Sequence, residues 1–146
     1  MARAALTTEA IPPREATAAA PGEAGAELVF YGRVRPHEEG REIIALDYEH
    51  YAGMAERELA ALAAEAERRY ALLGLEVLHR VGRVPVGEAS LRVVTRSRHR
   101  QEGLAALAWF IAELKQRVPI WKWGVTAAGE RFPSHHRDPE SEGRTS

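Results

Sequence analysis

Cysteine is absent from the 146 residues. That excludes disulfides, thiolate catalysis and cysteine-ligated zinc or iron–sulfur sites, and it fits a reducing compartment. No charge of one sign prevails: 20 basic and 21 acidic residues leave a net charge of -1. This argues against both a uniformly basic nucleic-acid binder and an acidic tail protein. No apolar run approaches the ~18 residues of a membrane-spanning helix. The start, MARAALTTEAIPPREATAAAPGEAGA, lacks the apolar stretch of a signal peptide, because Glu9, Pro12, Pro13 and Glu15 interrupt it. A cytoplasmic protein with no membrane contact is expected. Walker, GxGxxG, GxSxG and HExxH motifs are also missing, and the only adjacent histidines, His135 and His136, lie near the C-terminus. Neither a metal nor a cofactor is expected.

What is present suffices for one domain that buries roughly 70% of its unfolded surface. Residues 1–24 are rich in Ala, Pro, Thr and Glu and read as a flexible arm. Residues 133–146 read as a flexible polar tail, which leaves 25–132 as the folded domain. Within it, Glu27 to Arg35 and Ile43 to Tyr51 are rich in β-formers and predict two strands. Ala55, Leu59, Leu62, Ala66 and Tyr70 recur at helical spacing, predicting a helix from Met54 to Leu72. Leu75 to Val81 predicts a third strand, and after a loop with Pro85 and Gly87, Leu91 to Thr95 predicts a fourth. A second helix is expected from Gln101 to Arg117 with Leu104, Leu107, Ala108, Ile111 and Leu114 as its buried stripe, followed by a strand from Ile120 to Thr126. The order β-β-α-β-β-α-β, with consecutive strands joined by a short loop, favours an α+β fold whose sheet is mainly antiparallel and carries two long helices.

The even charge balance hides a segregation. From Ala89 to Gly129, Arg92, Arg96, Arg98, Arg100, Lys115, Arg117 and Lys122 face only Glu102 and Glu113, and Arg33, Arg35 and His37 close the first strand. A basic stretch at strand ends and a helix N-terminus suits an anion, whereas the plainer reading is a solvated arginine face. Lys115 ends an apolar helical stripe, and Lys122 stands between Trp121 and Trp123. Such surroundings can tune a lysine for proton donation or nucleophilic attack. The competing reading has the lysine stem packed on tryptophan with its head in water. Glu49 reads as an outer-face strand residue rather than a catalytic carboxylate.

Four segments in order carry more information. Gly25-Ala26 is followed by Phe30, Gly32, Val34 and Arg35; then come Leu46, Tyr48, Glu49, Tyr51, Met54 and Ala55. The run His79 to Ser90 reads HRVGRVPVGEAS, and His99-Arg100 precedes LKQRVPIWK from Leu114 to Lys122. In this order and spacing, over about residues 25–132, the chain resembles the large, catalytic subunits of molybdopterin synthase. Where that family usually carries a basic residue and then glutamate after the Trp-Lys pair, Trp123 and Gly124 stand here; where it often has asparagine, Glu38 stands.

The resemblance implies an α/β-hammerhead-like fold and a sulfurtransferase. It converts cyclic pyranopterin monophosphate into molybdopterin, a step of molybdenum cofactor biosynthesis. It takes sulfur from the C-terminal Gly-Gly thiocarboxylate of a small ubiquitin-like partner. It also implies a homodimer of this subunit within a heterotetramer. Lys115 and Lys122 match the family's catalytic lysines, and Arg35, His99 and Arg100 match its substrate-binding residues, the last two reaching the pocket across the dimer interface. The alternative function is a non-catalytic relative serving as a dimeric partner-binding module. A third reading, a nucleic-acid surface formed by Arg92, Arg96, Arg98 and Arg100, ranks below both.

Overall fold

The computed structural model describes residues 2–14 and 22–134. Its elements run β1 (Ala2–Thr7), β2 (Ala26–Arg33), β3 (His37–Glu38), β4 (Arg41–Glu42), β5 (Ala45–His50), α1 (Met54–Arg69), β6 (Gly74–Arg80), β7 (Gly82–Pro85), β8 (Ala89–Ser97), α2 (Arg100–Arg117), β9 (Ile120–Val125) and β10 (Arg131–Ser134). The fold is α+β with largely antiparallel sheets, as expected. One four-stranded sheet has the order β1-β6-β8-β2 and is antiparallel except for the β1–β6 pair. A second, fully antiparallel sheet has the order β10-β9-β5-β7.

Both helices pack on the first sheet. Most of the expected α1 stripe is met: Ala55, Leu59, Leu62 and Ala66 are buried with Leu75, Val77, Val93 and Phe110 in one apolar core, while Tyr70 lies just past the helix end, which comes at Arg69 rather than Leu72. The Glu56 carboxylate accepts from the Gly53 N–H at 2.9 Å, satisfying one amide at the start of α1. Opposite, α2 corrects the sequence expectation. Its buried residues are Gly103, Ala106, Phe110 and Leu114, whereas Leu104 is 53% exposed and Ala105 and Ala108 are exposed too. This helix is apolar on two faces, so periodicity alone could not choose which one meets the sheet.

The strand order is richer than expected. Residues 1–24 are not an arm throughout: Ala2–Thr7 forms β1, parallel to β6 with Ala2 opposite Leu75. Its alanines are poor strand formers, and the neighbouring strand decides the conformation. Beyond β1 the chain crosses the sheet's outer face, where the Arg92 guanidinium donates to the Pro12 carbonyl at 3.1 Å and Arg14 pairs with Glu76 at 3.0 Å. The segment around Pro85 contains β7 rather than loop alone; it lies at a sheet edge, where proline is tolerated. At the other end β10 reaches Ser134, past the expected boundary at 132, while residues 135–146 and 15–21 of the expected tail and arm lie outside the described residues.

Candidate functional site

Between the sheets lies a cavity of about 1110 Å³. Its wall comes from β2 (Phe30, Gly32), the following turn (Arg35), β5 (Tyr48), α2 (Lys115) and β9 (Lys122). The predicted residues Arg35, Lys115 and Lys122 thus converge from three separate parts of the chain. Pro119 ends α2 just after Lys115 and turns the chain directly into β9, so one short connection supplies both lysines.

Lys122 settles the choice left open by its tryptophan neighbours. Strand side chains alternate, so Trp121 and Trp123 take the outer face, where both indole N–H groups donate to Glu49 Oε1 at 3.0 and 2.6 Å. Lys122 points the other way, between Tyr48 on β5 and Ser134 on β10, its register partners. Its Nζ lies 2.9 Å from Glu38 Oε2, in a pair whose side chains are only 20% and 11% exposed. It does not snorkel along tryptophan. Glu49, bonded to two indoles on the far face, stays a structural acceptor.

A polar seam continues along the same wall. The Tyr48 hydroxyl donates to Ser90 Oγ at 3.2 Å, and the Tyr48 ring meets His79 edge-on at 5.2 Å. His79 is 5% exposed, and burial pushes its pKa down to about 4, so it is neutral near pH 7. Its Nδ1 sits 2.7 Å from the Arg80 carbonyl, which can only accept, so Nδ1 carries the proton. Burial also raises the Tyr48 phenol above its ordinary value, and the Glu38 charge adds to this. Glu38, His79 and Ser134 are the wall residues that composition and spacing passed over. His79 and Ser90 had a signal in the HRVGRVPVGEAS run, but Ser134 had none, because only β10 pairing brings it opposite Lys122.

His99 and Arg100 are not at this cavity within one chain. They stand at the N-terminus of α2, fifteen residues and about 22 Å of helix from Lys115. Their turn is fixed by a close approach: a Cβ on Gly25 would lie 2.1 Å from the Arg98 carbonyl oxygen, and the Gly25 N–H donates to Ser97 O at 3.0 Å. Gly25 in the first motif therefore serves the His99-Arg100 turn. The neighbouring arginines are matched internally. Arg96 pairs with Glu27 at 2.7 Å and Glu76 at 3.0 Å, and Arg98 with Glu23 at 3.0 Å. Carboxylates distant in sequence thus neutralise two of the four arginines, Arg96 and Arg98, which weakens the nucleic-acid reading.

Residues 6–117 match the family model described as MoaE protein. The chain belongs to the MoaE protein family. Arg35, His99, Arg100 and Lys115 lie inside the matched MoaE span, and Lys122 just beyond it. The molybdopterin synthase catalytic subunit of Pseudomonas aeruginosa is 44% identical over 108 residues, 74% of this chain and 72% of that protein. The subunit of the same name from Pyrococcus abyssi is 40% identical over 106 residues, 73% of this chain and 72% of its own length. Among solved MoaE-like structures, molybdopterin synthase from Staphylococcus aureus superposes with a TM-score of 0.75 at 26% identity, covering 89% of this chain and 96% of that one. A Helicobacter pylori structure, a complex of subunits 1 and 2 of molybdopterin-converting factor, gives a TM-score of 0.65 at 25% identity over 80% of this chain and 75% of that one. The resemblance read from the four motifs is thereby borne out. Among the described residues no helix is long and apolar enough to cross a membrane.

Proposed function

We propose that this chain is a molybdopterin synthase catalytic subunit, a sulfurtransferase acting with a small ubiquitin-like carrier. The carrier's C-terminal thiocarboxylate supplies the dithiolene sulfurs to cyclic pyranopterin monophosphate. The observation that carries this reading is the convergence of Arg35, Lys115 and Lys122 on one cavity. A thiocarboxylate and a phosphate are both anions, and a preorganised set of cations draws them together and stabilises charge that develops as sulfur adds. A lysine ammonium beside the leaving oxygen gives it a proton. The sulfur arrives on the carrier, so the chain needs no cysteine of its own. A Gly-Gly tail has no side chains to grip, so main-chain hydrogen bonds hold it extended along the cavity.

His99 and Arg100 enter this site from a second copy. The unburied face of α2 carries Leu104, Ala105 and Ala108. The midpoint between Arg100 and Lys115 on α2 falls at Leu107 and Ala108, at the end of that exposed stretch. A two-fold axis there sets α2 antiparallel to its copy and brings Arg100 of one chain beside Lys115 of the other. The exposed apolar stripe is covered at the same time.

Incubation with thiocarboxylated carrier and cyclic pyranopterin monophosphate tests the activity. Dithiolene product is expected, and its absence with a dimer that still binds the carrier selects the non-catalytic alternative. Arg100→Ala and Lys115→Ala homodimers are expected to be inactive. Mixed dimers of the two contain one intact site, so subunit exchange restores up to about half the activity per mixed dimer. No recovery despite demonstrated exchange would overturn the shared site.

A further inference from the structure

We propose that Glu38 is a positioning residue of the sulfur-transfer site, holding the Lys122 ammonium at a fixed point on the cavity wall. The inference rests on the sulfur-transfer reading of that cavity. A carboxylate is out of place in a pocket that recruits anions, since it repels them. Nor does stability explain it, because a half-buried ion pair is often no better than a well-packed apolar pair. What Glu38 supplies is geometry. A lysine side chain has four rotatable bonds and loses much rotamer entropy when fixed; the 2.9 Å contact to Glu38 Oε2 selects one position.

Glu38 is itself held firmly. It ends β3 in a two-residue hairpin whose central residues, Glu39 and Gly40, both have positive φ, 53° and 75°, the requirement of a tight turn matched to strand twist. The hairpin is clamped to β10 by the Arg41 guanidinium, 4.3 Å from the centre of the Phe132 ring and 3.4 Å from Glu130. From β10 the Ser134 hydroxyl donates to the same Glu38 oxygen that faces Lys122. Burial pushes the Glu38 carboxyl up, but Ser134, Lys122 and the charge of Arg35 outweigh it and hold the group below its ordinary value. The titratable and charged groups acting on Glu38 include Lys122, Arg35 and, on β5, Tyr48.

The test is steady-state sulfur transfer by the dimer. Glu38→Gln keeps the shape and loses the charge; kcat should fall by about 10- to 100-fold, as for a misplaced catalytic group, with the KM for carrier changed little. Glu38→Asp should recover part of that loss. In a Lys122→Ala background Glu38→Gln should cost nothing further, because a residue acting through Lys122 has nothing left to position. Ser134→Ala, which loosens Glu38 without changing its charge, should lower kcat several-fold and keeps the idea testable if Glu38→Gln does not fold. An active wild type with kcat unchanged in Glu38→Gln, or equal losses with and without Lys122, overturns the positioning role alone. A wild type that makes no dithiolene overturns the sulfur-transfer reading and this role with it.

Discussion

In the sheet of β1, β6, β8 and β2, most side chains facing the helices are apolar: Leu75, Val77, Leu91 and Val93 meet Leu59, Leu62, Phe110 and Leu114, and polar Thr95 and Ser97 face Gly103 at the start of α2. In the sheet of β10, β9, β5 and β7, one face carries the exposed network of Asp47, Arg83, Arg131 and Glu49. Its other face starts apolar, with Leu46 and Val84 packed on Val34 and Ile43, and turns polar at Tyr48, Lys122 and Ser134. One sheet carries the main core; the other gives up apolar burial where its strands reach the cavity. Burying a polar group costs stability unless it is paired, and here each is paired across strands or through the β3–β4 hairpin. The rigid helical layer contributes Lys115 to a cavity whose opposite wall is made of matched polar groups.

The contrast predicts effects that separate by region. Lys115→Ala should reduce sulfur transfer by at least about 100-fold while the dimer and its melting temperature survive, as read by product assay and sedimentation. Wild-type turnover would remove Lys115 from the chemistry. Phe110→Ala, in the dry core, should do the reverse and cost about 3–5 kcal/mol in denaturant unfolding. A loss under about 1 kcal/mol would show that the helical layer is not the main store of stability.

His79 links the two regions through pH. Its folded pKa, about 4, lies below the ordinary 6.5, so between those values the unfolded chain binds more protons. The His79 contribution to stability is therefore complete above pH 6.5 and is lost as pH falls toward 4, by about 3 kcal/mol at most. His79→Asn should flatten the stability profile across that window; an unchanged slope would place the acid sensitivity elsewhere. The smallest effect concerns the second sheet's packing. A Cβ on Gly124 would lie 2.3 Å from the Phe132 ring. Gly124→Ala should cost about 1–3 kcal/mol, and less once Phe132→Ala makes room. Additive losses would mean that Phe132 is not what excludes a side chain at 124.

Much of the fold could be read along the chain wherever a segment's own pattern decides its state. The buried positions of α1, the presence of β2, β5, β6, β8 and β9, and the end of α2 before Pro119 follow from periodicity and from residues that break helices, although β8 is longer than expected and β5 shorter. The strands β1, β7 and β10 escaped because their residues are weak strand formers or include proline, and each is extended only because a neighbour pairs with it. The choice of face on α2 escaped for a related reason: Leu104 and Phe110 both lie on apolar faces, and only the sheet beneath selects Phe110.

The sequence by itself determined the α+β class, the family and the identity of the cations, because residue type, order and spacing are local properties that the chain carries wherever it goes. Tertiary structure alone decided which cations share a cavity. Arg35, Lys115 and Lys122 come together there while His99 and Arg100 lie at the far end of α2. It also decided that Arg96 and Arg98 are neutralised by Glu27, Glu76 and Glu23, and that Glu38 and Ser134, 96 residues apart, meet beside Lys122. The physical reason is range. Hydrogen bonds and close ion pairs act over a few ångströms between groups whose distance along the chain sets no distance in space. Strand pairing and sheet order supply that distance.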